Sequence, residues 1–83
     1  MKRCEIGRVT HYYSKIGVAI ISLEDQLSTG DRIAIVGSTT DLEQDVKSIQ
    51  VEHQNIDQAS SGDLVGLKVQ DKVREGDTVF KLI

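Results

Sequence analysis

The chain has 83 residues, and its 10 Lys and Arg against 13 Asp and Glu give a formal net charge of −3. A chain of this length supports one small core, which excludes a multidomain enzyme. Hydrophobic residues make up 39% and charged residues 28%, a balance typical of a folded globular domain rather than a disordered segment or a membrane span. We therefore expect a single domain over residues 1–83 that makes no contact with a membrane.

Cysteine usage and the N-terminal residues bear on the compartment. Cys4 is the sole cysteine of the sequence, so an intramolecular disulfide is excluded. The first residues, MKRCEIGRV, lack the apolar run that a signal peptide requires. Both features favour a cytoplasmic protein.

Apolar runs of strand length recur along the chain between Gly, Asp and Ser residues. Ile and Val together number 18, and such β-branched side chains favour strands over helices. The predicted strands span residues 4–13, 16–23, 32–37, 42–53, 64–69 and 78–83. Since no segment of helical periodicity is long enough to cover a sheet, the pattern predicts an all-β fold, a closed six-stranded β-barrel.

Two of these runs predict further local detail. In the run 16–23, apolar residues occupy both faces, which predicts a strand that is covered on both sides. In the run 42–53, Val46 and Ile49 are three positions apart and cannot share one face of a regular strand. A β-bulge near Lys47 or Ser48 would restore the alternation.

A short motif occurs three times, at residues 27–33, 59–65 and 73–79. Each copy has an apolar residue, two polar residues, Gly-Asp, any residue and a second apolar residue. Glycine supplies the positive φ of a tight turn, and aspartate accepts hydrogen bonds from local amides. A structural turn is favoured over a cation site, because one carboxylate per loop lacks the ligand spacing of a metal-binding loop.

Motifs of nucleotide, metal and nucleophilic chemistry are absent from the sequence. It contains no GxxxxGK[ST] and no GxGxxG, which argues against GTP binding. Cys4, His11 and His53 lack zinc-ligand spacing, and Cys4 and His11 would lie on opposite faces of one strand. We expect no enzyme activity, no catalytic residue, no metal and no cofactor.

Charge is distributed unevenly along the chain. Residues 1–15 carry four cations and one acid, whereas residues 24–63 carry nine acids and two cations. Residues 64–83 again carry a small excess of cations. The two ends of a barrel often lie on neighbouring strands, so the hypothesis is that both basic segments form one positive face.

Two of the three aromatic residues, Tyr12 and Tyr13, lie in the basic N-terminal segment. Tyrosines beside cations are typical of surfaces that stack the bases of single-stranded RNA. The alternative is that one ring packs inward and the other covers the end of the barrel. The candidate RNA-binding residues are Arg8, His11, Tyr12, Tyr13, Lys15, Lys72 and Arg74.

The order of these motifs resembles the second domain of translation GTPases of the elongation factor Tu type, which is a six-stranded barrel. The resemblance is carried by the Gly-Asp motifs within 27–37, 59–67 and 73–79, and by Val46, Ser48 and Ile49. A closer resemblance, over nearly the whole chain, is to the C-terminal barrel of collagenase-like peptidase-family proteins, several of which are linked to RNA hydroxylation. Residues 7–13, 15–19, 37–41 and 46–50 carry it.

The two resemblances imply a noncatalytic binding module that is elongation factor-like and contacts transfer or ribosomal RNA in translation or RNA modification. GTPase, peptidase and hydroxylase activities are not implied, because their catalytic parts lie in other domains. The alternative is a protein-interaction adaptor that docks on an enzyme or a ribosome-associated factor. Its candidate patches are the apolar run 16–21 and the C-terminal residues 80–83.

Overall fold

The computed structural model describes residues 2–83, and more than half of them lie in β-strands, with no helix among them. The strands are β1 (Arg3–Tyr13), β2 (Val18–Leu23), β3 (Leu27–Ser28), β4 (Arg32–Val36), β5 (Asp41–Asp45), β6 (Ile49–Val51), β7 (Gln54–Ile56), β8 (Gln58–Ala59), β9 (Leu64–Lys68) and β10 (Thr78–Leu82). The all-β prediction is therefore confirmed. Over residues 2–83, the structure holds no helix of the length and apolarity needed to cross a membrane.

Eight strands form one sheet in the order β5-β4-β10-β1-β2-β9-β6-β7, and β3 pairs separately with β8. All of these pairs are antiparallel. Within residues 2–83, β5 and β7 each have one strand partner, so backbone pairing does not close the sheet. The closed six-stranded barrel is thus not confirmed. The strands number ten because the predicted run 42–53 is divided into β5 and β6, and because β3, β7 and β8 form outside the predicted runs.

A side chain bridges the sheet near its open end. Gln44 of β5 is only 5% exposed, and its Nε2 donates a hydrogen bond to the Lys68 carbonyl of β9 at 2.7 Å. The backbone amide of Gln70 donates to the Gln44 Oε1 at 2.9 Å. The Gln44 carboxamide therefore supplies one donor and one acceptor, as a strand backbone would.

The predicted bulge near Lys47 or Ser48 is wrong, because the chain leaves the sheet there. β5 ends at Asp45 and β6 begins at Ile49. Between them, Val46 exchanges backbone hydrogen bonds with residues 30 and 31. This interruption lets both Val46 and Ile49 reach the core. The register shifts instead occur in β1, between residues 5 and 7 and between residues 9 and 11.

The core lies on the inner face of the curved sheet, where alternate residues of β2 and β9 are buried. Every strand except β5 and β7 contributes at least one buried apolar side chain. The buried cluster comprises Ile6, Val9, Ala19, Ile21, Leu23, Leu27, Ile33, Ile35, Val46, Ile49, Ala59, Val65, Leu67, Val69, Val73 and Val79. Both apolar ends of all three Gly-Asp motifs are in this set.

The three Gly-Asp motifs form the same turn, as predicted. Each glycine has a φ of 91–93°, and each aspartate accepts a hydrogen bond at 2.8–2.9 Å from the amide three residues earlier. The glycines and aspartates are Gly30 and Asp31, Gly62 and Asp63, and Gly76 and Asp77. Two backbone hydrogen bonds join each turn to a buried residue elsewhere in the chain, respectively Val46, Leu23 and Val9. The turns therefore connect distant segments to the core.

Candidate functional site

The two tyrosines predicted to stack RNA bases lie in different environments. Tyr12 is half-buried and packs against the core. Tyr13 is 48% exposed, and its ring centroid lies 4.4 Å from that of His11. This is the packing alternative, with one ring inward and one outward. The two rings therefore have different surroundings, and the stacking of RNA bases on them stays a prediction.

The two basic end segments lie side by side, as the charge hypothesis expected. Val9 exchanges two backbone hydrogen bonds with residues 76 and 77, and His11 Nδ1 lies 3.9 Å from Glu75 Oε2. Arg8 and Lys15 are exposed, at β1 and in the turn that follows it. The face also contains acids, so its positive character is diluted.

Lys72 and Arg74 line a polar cavity of about 370 Å³ together with Asp41 and Asp71. The backbone amide of Lys72 donates a hydrogen bond to Asp71 Oδ1 at 2.7 Å. Two carboxylates therefore accompany the two cations at this site. No contact described above tests whether the seven predicted residues bind RNA, so that role stays a prediction.

A different surface, the outer face of β2, β9 and β6, carries an apolar groove that the sequence indicated only in part. The groove has a volume of about 680 Å³. Its lining residues are Tyr13, Ile16, Val18, Ile20, Gln50, Val51, Glu52, His53, Gly62, Asp63, Leu64 and Gly66. This set is called the apolar groove below.

Several large side chains of the apolar groove face solvent. Ile16 and Leu64 are each 58% exposed, and Val18 and Ile20 are half-buried. The run 16–23 was predicted to be covered on both sides, but residues 2–83 cover only its inner face.

Gly66 forms the floor of the apolar groove between two neighbouring strands. In the sheet register it lies opposite Ile20 on one side and Gln50 on the other. A Cβ at Gly66 would lie 3.5 Å from Val18 Cγ1 and 3.7 Å from Ile20 Cδ1, which is ordinary van der Waals contact. The missing side chain therefore leaves open space that a small substituent would occupy without clash.

A smaller cavity of about 200 Å³ extends the apolar groove towards the end of β9. It shares Ile16, Val18 and Gly66 with the groove and adds Ser48 and Lys68. One continuous depression thus runs from an acidic end, at Glu52 and Asp63, to a basic end.

The outer face of β1, β10, β4 and β5 differs from the apolar groove, because charged side chains form ion pairs across it. Arg3 lies 3.7 Å from Glu43, and Arg32 contacts both Glu43 and Asp45, at 3.7 and 3.0 Å. The Arg3 guanidinium also lies 6.0 Å from the centre of the Phe80 ring. These five residues are called the ion-pair face below.

In the part of the chain that the structure describes, Cys, His and acidic side chains are not arranged as in a catalytic site. Cys4 lies opposite Lys81 on one neighbouring strand, whereas His11 lies opposite Ile20 on the other. Across residues 2–83, no three His, Cys, Asp or Glu side chains gather as a metal site would require.

Comparison with known proteins relates the chain to proteases. It is 45% identical over 82 residues to an uncharacterised protease of Methanocaldococcus jannaschii, a match that covers 98% of this chain and 20% of that protein. It is 35% identical over 78 residues to a collagenase of Porphyromonas gingivalis, covering 92% of this chain and 22% of that protein. The chain therefore spans about a fifth of the length of these relatives. No protein-family model matches it.

The fold has a close counterpart among solved structures. It matches the C-terminal domain of a protein assigned to the U32 peptidases of Geobacillus thermoleovorans with a TM-score of 0.89. The match covers 95% of this chain and 92% of that domain, at 21% sequence identity. The selenomethionine variant of the same domain gives a TM-score of 0.85. This likeness establishes a shared fold.

These relatives decide between the two resemblances seen in the sequence. The resemblance to collagenase-like peptidase-family proteins is confirmed, because the relatives are named as a protease and a collagenase. The predicted elongation factor-like role in translation is wrong, since the relatives are not translation factors. The residues that resemble translation factors are mainly turn and core positions. Such positions reflect how strands are connected and carry little information about function.

Proposed function

We propose that this chain is a noncatalytic module that docks on the catalytic part of a U32-type peptidase through the apolar groove. The observation that carries the proposal is the continuous apolar surface of Tyr13, Ile16, Val18, Ile20 and Leu64, which residues 2–83 leave open. The predicted barrel stays part of the proposal, with hydrogen bonds of the Gln44 side chain joining β5 to the end of β9.

The exposed side chains supply an adequate driving force for docking. Scattered apolar residues are ordinary on protein surfaces, but a contiguous patch indicates an interaction site. Ile16 and Leu64 are both more than half exposed and line the same groove. Complete burial of one such side chain contributes about 1.5–3 kcal/mol, so two or three of them offset a large part of the cost of association.

The size of the relatives supports a protein partner over a free-standing role. About four fifths of each relative lie outside the region that matches this chain. In each relative, the matching region is covalently joined to the rest of the protease, so the surface of that remaining part is always nearby. The same surface is the natural candidate to cover an apolar groove.

Calorimetric titration of this chain with a truncated relative tests the proposal. The titrant is the M. jannaschii protease without the region that this chain matches, at 0.15 M salt. Leu64→Glu places a charge in the groove, and we expect it to weaken binding by about 30-fold or more, because the burial of one Leu is lost.

Ile83→Glu is the matched control, since Ile83 is a 68% exposed apolar residue outside the apolar groove. We expect it to change affinity by less than about twofold, as surface substitutions generally do. The control also separates the groove from the C-terminal patch at 80–83. Equal losses in both variants, or no binding by the unchanged chain, would overturn the proposal.

RNA binding predicts a different result, which titration of the labelled chain with bulk transfer RNA would reveal. Contact through the predicted residues would shift the amides of residues 8–15 and 72–74, and the shifts would fade steeply with salt. Docking on a peptidase predicts no shift there at 0.15 M salt. Strong shifts in those segments would favour RNA over the protein partner.

A further inference from the structure

This inference rests on the docking function proposed above. The charge of the apolar groove indicates which chemical groups its occupant carries. Its larger part is lined by two carboxylates, Glu52 and Asp63, and by no Lys or Arg. Neither carboxylate forms an ion pair with a cation within residues 2–83. An unneutralised acidic rim beside an apolar floor favours a partner that carries a cation next to an apolar side chain.

The floor of the groove limits the size of the apolar group. Gly66 leaves a gap in which the nearest atoms, on Val18, Ile20 and Gln50, lie 3.5–3.8 Å from an added Cβ. The neighbouring side chains of the floor are aliphatic and half-buried. An aliphatic side chain such as Leu or Ile inserted above Gly66 would therefore contact the apolar atoms of Val18 and Ile20 on β2, with the Gln50 carbonyl oxygen on the β6 side.

The rim of the groove is held in an unusual backbone conformation. Glu52 and His53 form the turn between β6 and β7, and their φ angles are 51° and 67°. Such a turn favours Asn and Gly, and a Glu with positive φ is uncommon. The turn is held by the pairing of Val51 with Gln54 and by a 3.2 Å hydrogen bond from Gln50 to Asn55. Costly conformations of this kind cluster at binding sites.

The geometry points to a partner segment in which an aliphatic side chain is adjacent to Lys or Arg. The aliphatic side chain lies over Gly66, and the cation lies between Glu52 and Asp63. The Glu52 carboxylate is a recognition group here, since its charge distinguishes a basic segment from an acidic one. Asp63 has a second role, because it also accepts the hydrogen bond of the Gly62 turn.

Two short synthetic peptides probe this chemistry without knowledge of the natural partner. The peptides are acetyl-Leu-Lys-Leu-amide and acetyl-Leu-Glu-Leu-amide, each titrated into isotope-labelled chain while amide shifts are followed. We expect the Lys peptide to shift Glu52, Leu64 and Gly66, and to bind about fivefold more tightly than the Glu peptide at low salt.

Two variants locate the contact. Gly66→Leu fills the floor and should abolish the shifts, whereas Gly66→Ala should reduce them only in part. Glu52→Gln keeps the shape of the rim and should lower the preference for the Lys peptide to less than about twofold. Unchanged amide shifts of core residues such as Ile35 show that each variant stays folded.

Equal binding of both peptides, shifts outside the groove, or an unchanged preference in Glu52→Gln would overturn this inference. Its failure is distinguishable from failure of the docking function. If Leu64→Glu weakens binding to the truncated protease while the peptides bind equally, the docking function holds and the assigned chemistry is wrong. If the Lys peptide binds the groove but the truncated protease does not bind, the chemistry holds and the peptidase is the wrong partner.

Discussion

The ion-pair face and the apolar groove are two outer surfaces of the same sheet, and they are covered in opposite ways. On the ion-pair face, Arg3, Arg32, Glu43 and Asp45 contact one another, and Arg3 extends over Phe80. In the apolar groove, Ile16 and Leu64 stand more than half exposed. One surface carries charged side chains that pair with one another, and the other exposes apolar side chains to solvent.

The ends of the sheet show the same contrast. The edge strand β5 carries three carboxylates, at Asp41, Glu43 and Asp45, and charges at an edge oppose pairing with another chain. The opposite edge strand β7, with Gln54, Asn55 and Ile56, carries no charge. The two edge strands of the sheet therefore differ in charge, and of the two only β5 opposes edge pairing by this means.

Loss of the Gln44 bridge between β5 and the end of β9 should have the largest effect on stability. Gln44→Ala removes both hydrogen bonds of a buried carboxamide and leaves the Lys68 carbonyl and the Gln70 amide without partners. We expect the free energy of unfolding to fall by about 2–3 kcal/mol in urea titrations followed by circular dichroism. Gln50→Ala is the control, since its hydrogen bond is exposed. Similar losses in both variants would contradict a bridging role.

The Gly-Asp turn occurs beside both the ion-pair face and the apolar groove, so Asp77 and Asp63 can be compared directly. Asp77 precedes β10 of the ion-pair face and is only 6% exposed, whereas Asp63 borders the apolar groove and is half-buried. We expect Asp77→Ala to lower the free energy of unfolding by about 2 kcal/mol and Asp63→Ala by about 1 kcal/mol, in the same urea titration. A larger loss at Asp63 would show that burial does not set the strength of this turn.

The rim of the groove should become more stable when its sequence matches its backbone. Glu52→Asn together with His53→Gly places in the β6–β7 turn the residues that positive φ favours. We expect the free energy of unfolding to rise by about 1 kcal/mol, while binding of the Lys peptide weakens. A variant that gains no stability would show that the turn is unstrained, and one that keeps full binding would remove Glu52 from recognition.

Breaking the ion-pair face should have the smallest effect. Glu43→Gln removes the carboxylate shared by Arg3 and Arg32, but all three side chains are about half exposed. We expect the free energy of unfolding to fall by no more than about 0.5 kcal/mol, and the difference to vanish in 1 M salt. A loss that persists at high salt would show that packing, rather than charge, holds this face together.

Local features of the sequence predicted the turns and most strands well. The strands at 32–37, 64–69 and 78–83 agree with β4, β9 and β10 within a residue or two. The three Gly-Asp turns were predicted because their glycine conformation and aspartate hydrogen bonds lie within a few residues of one another. The short strands β3, β7 and β8 were missed, since two or three residues carry no periodicity.

Features that depend on distant contacts were predicted less well. The sequence did not show which tyrosine faces inward, because the register shift between Val9 and His11 resets the alternation of β1. The sequence did not indicate the bridging role of Gln44, because a polar residue in a strand is normally solvated. Its partners, Lys68 and Gln70, lie at the end of β9 and just beyond it, far away in the chain. In the sequence, Gly66 falls only within the segment 59–67 that resembles translation factors, whereas its position beside Val18 and Ile20 makes it the floor of a groove.

The amino-acid sequence by itself determined the all-β class and the three repeated turns, because backbone conformation and local hydrogen bonds act over short separations. Tertiary structure alone decided which outer surface is covered, because that depends on residues far apart in the chain. Glu43 lies 3.7 Å from Arg3, whereas Ile16 and Leu64 stay 58% exposed. The candidate function of this protein lies in that second, long-range part of its structure.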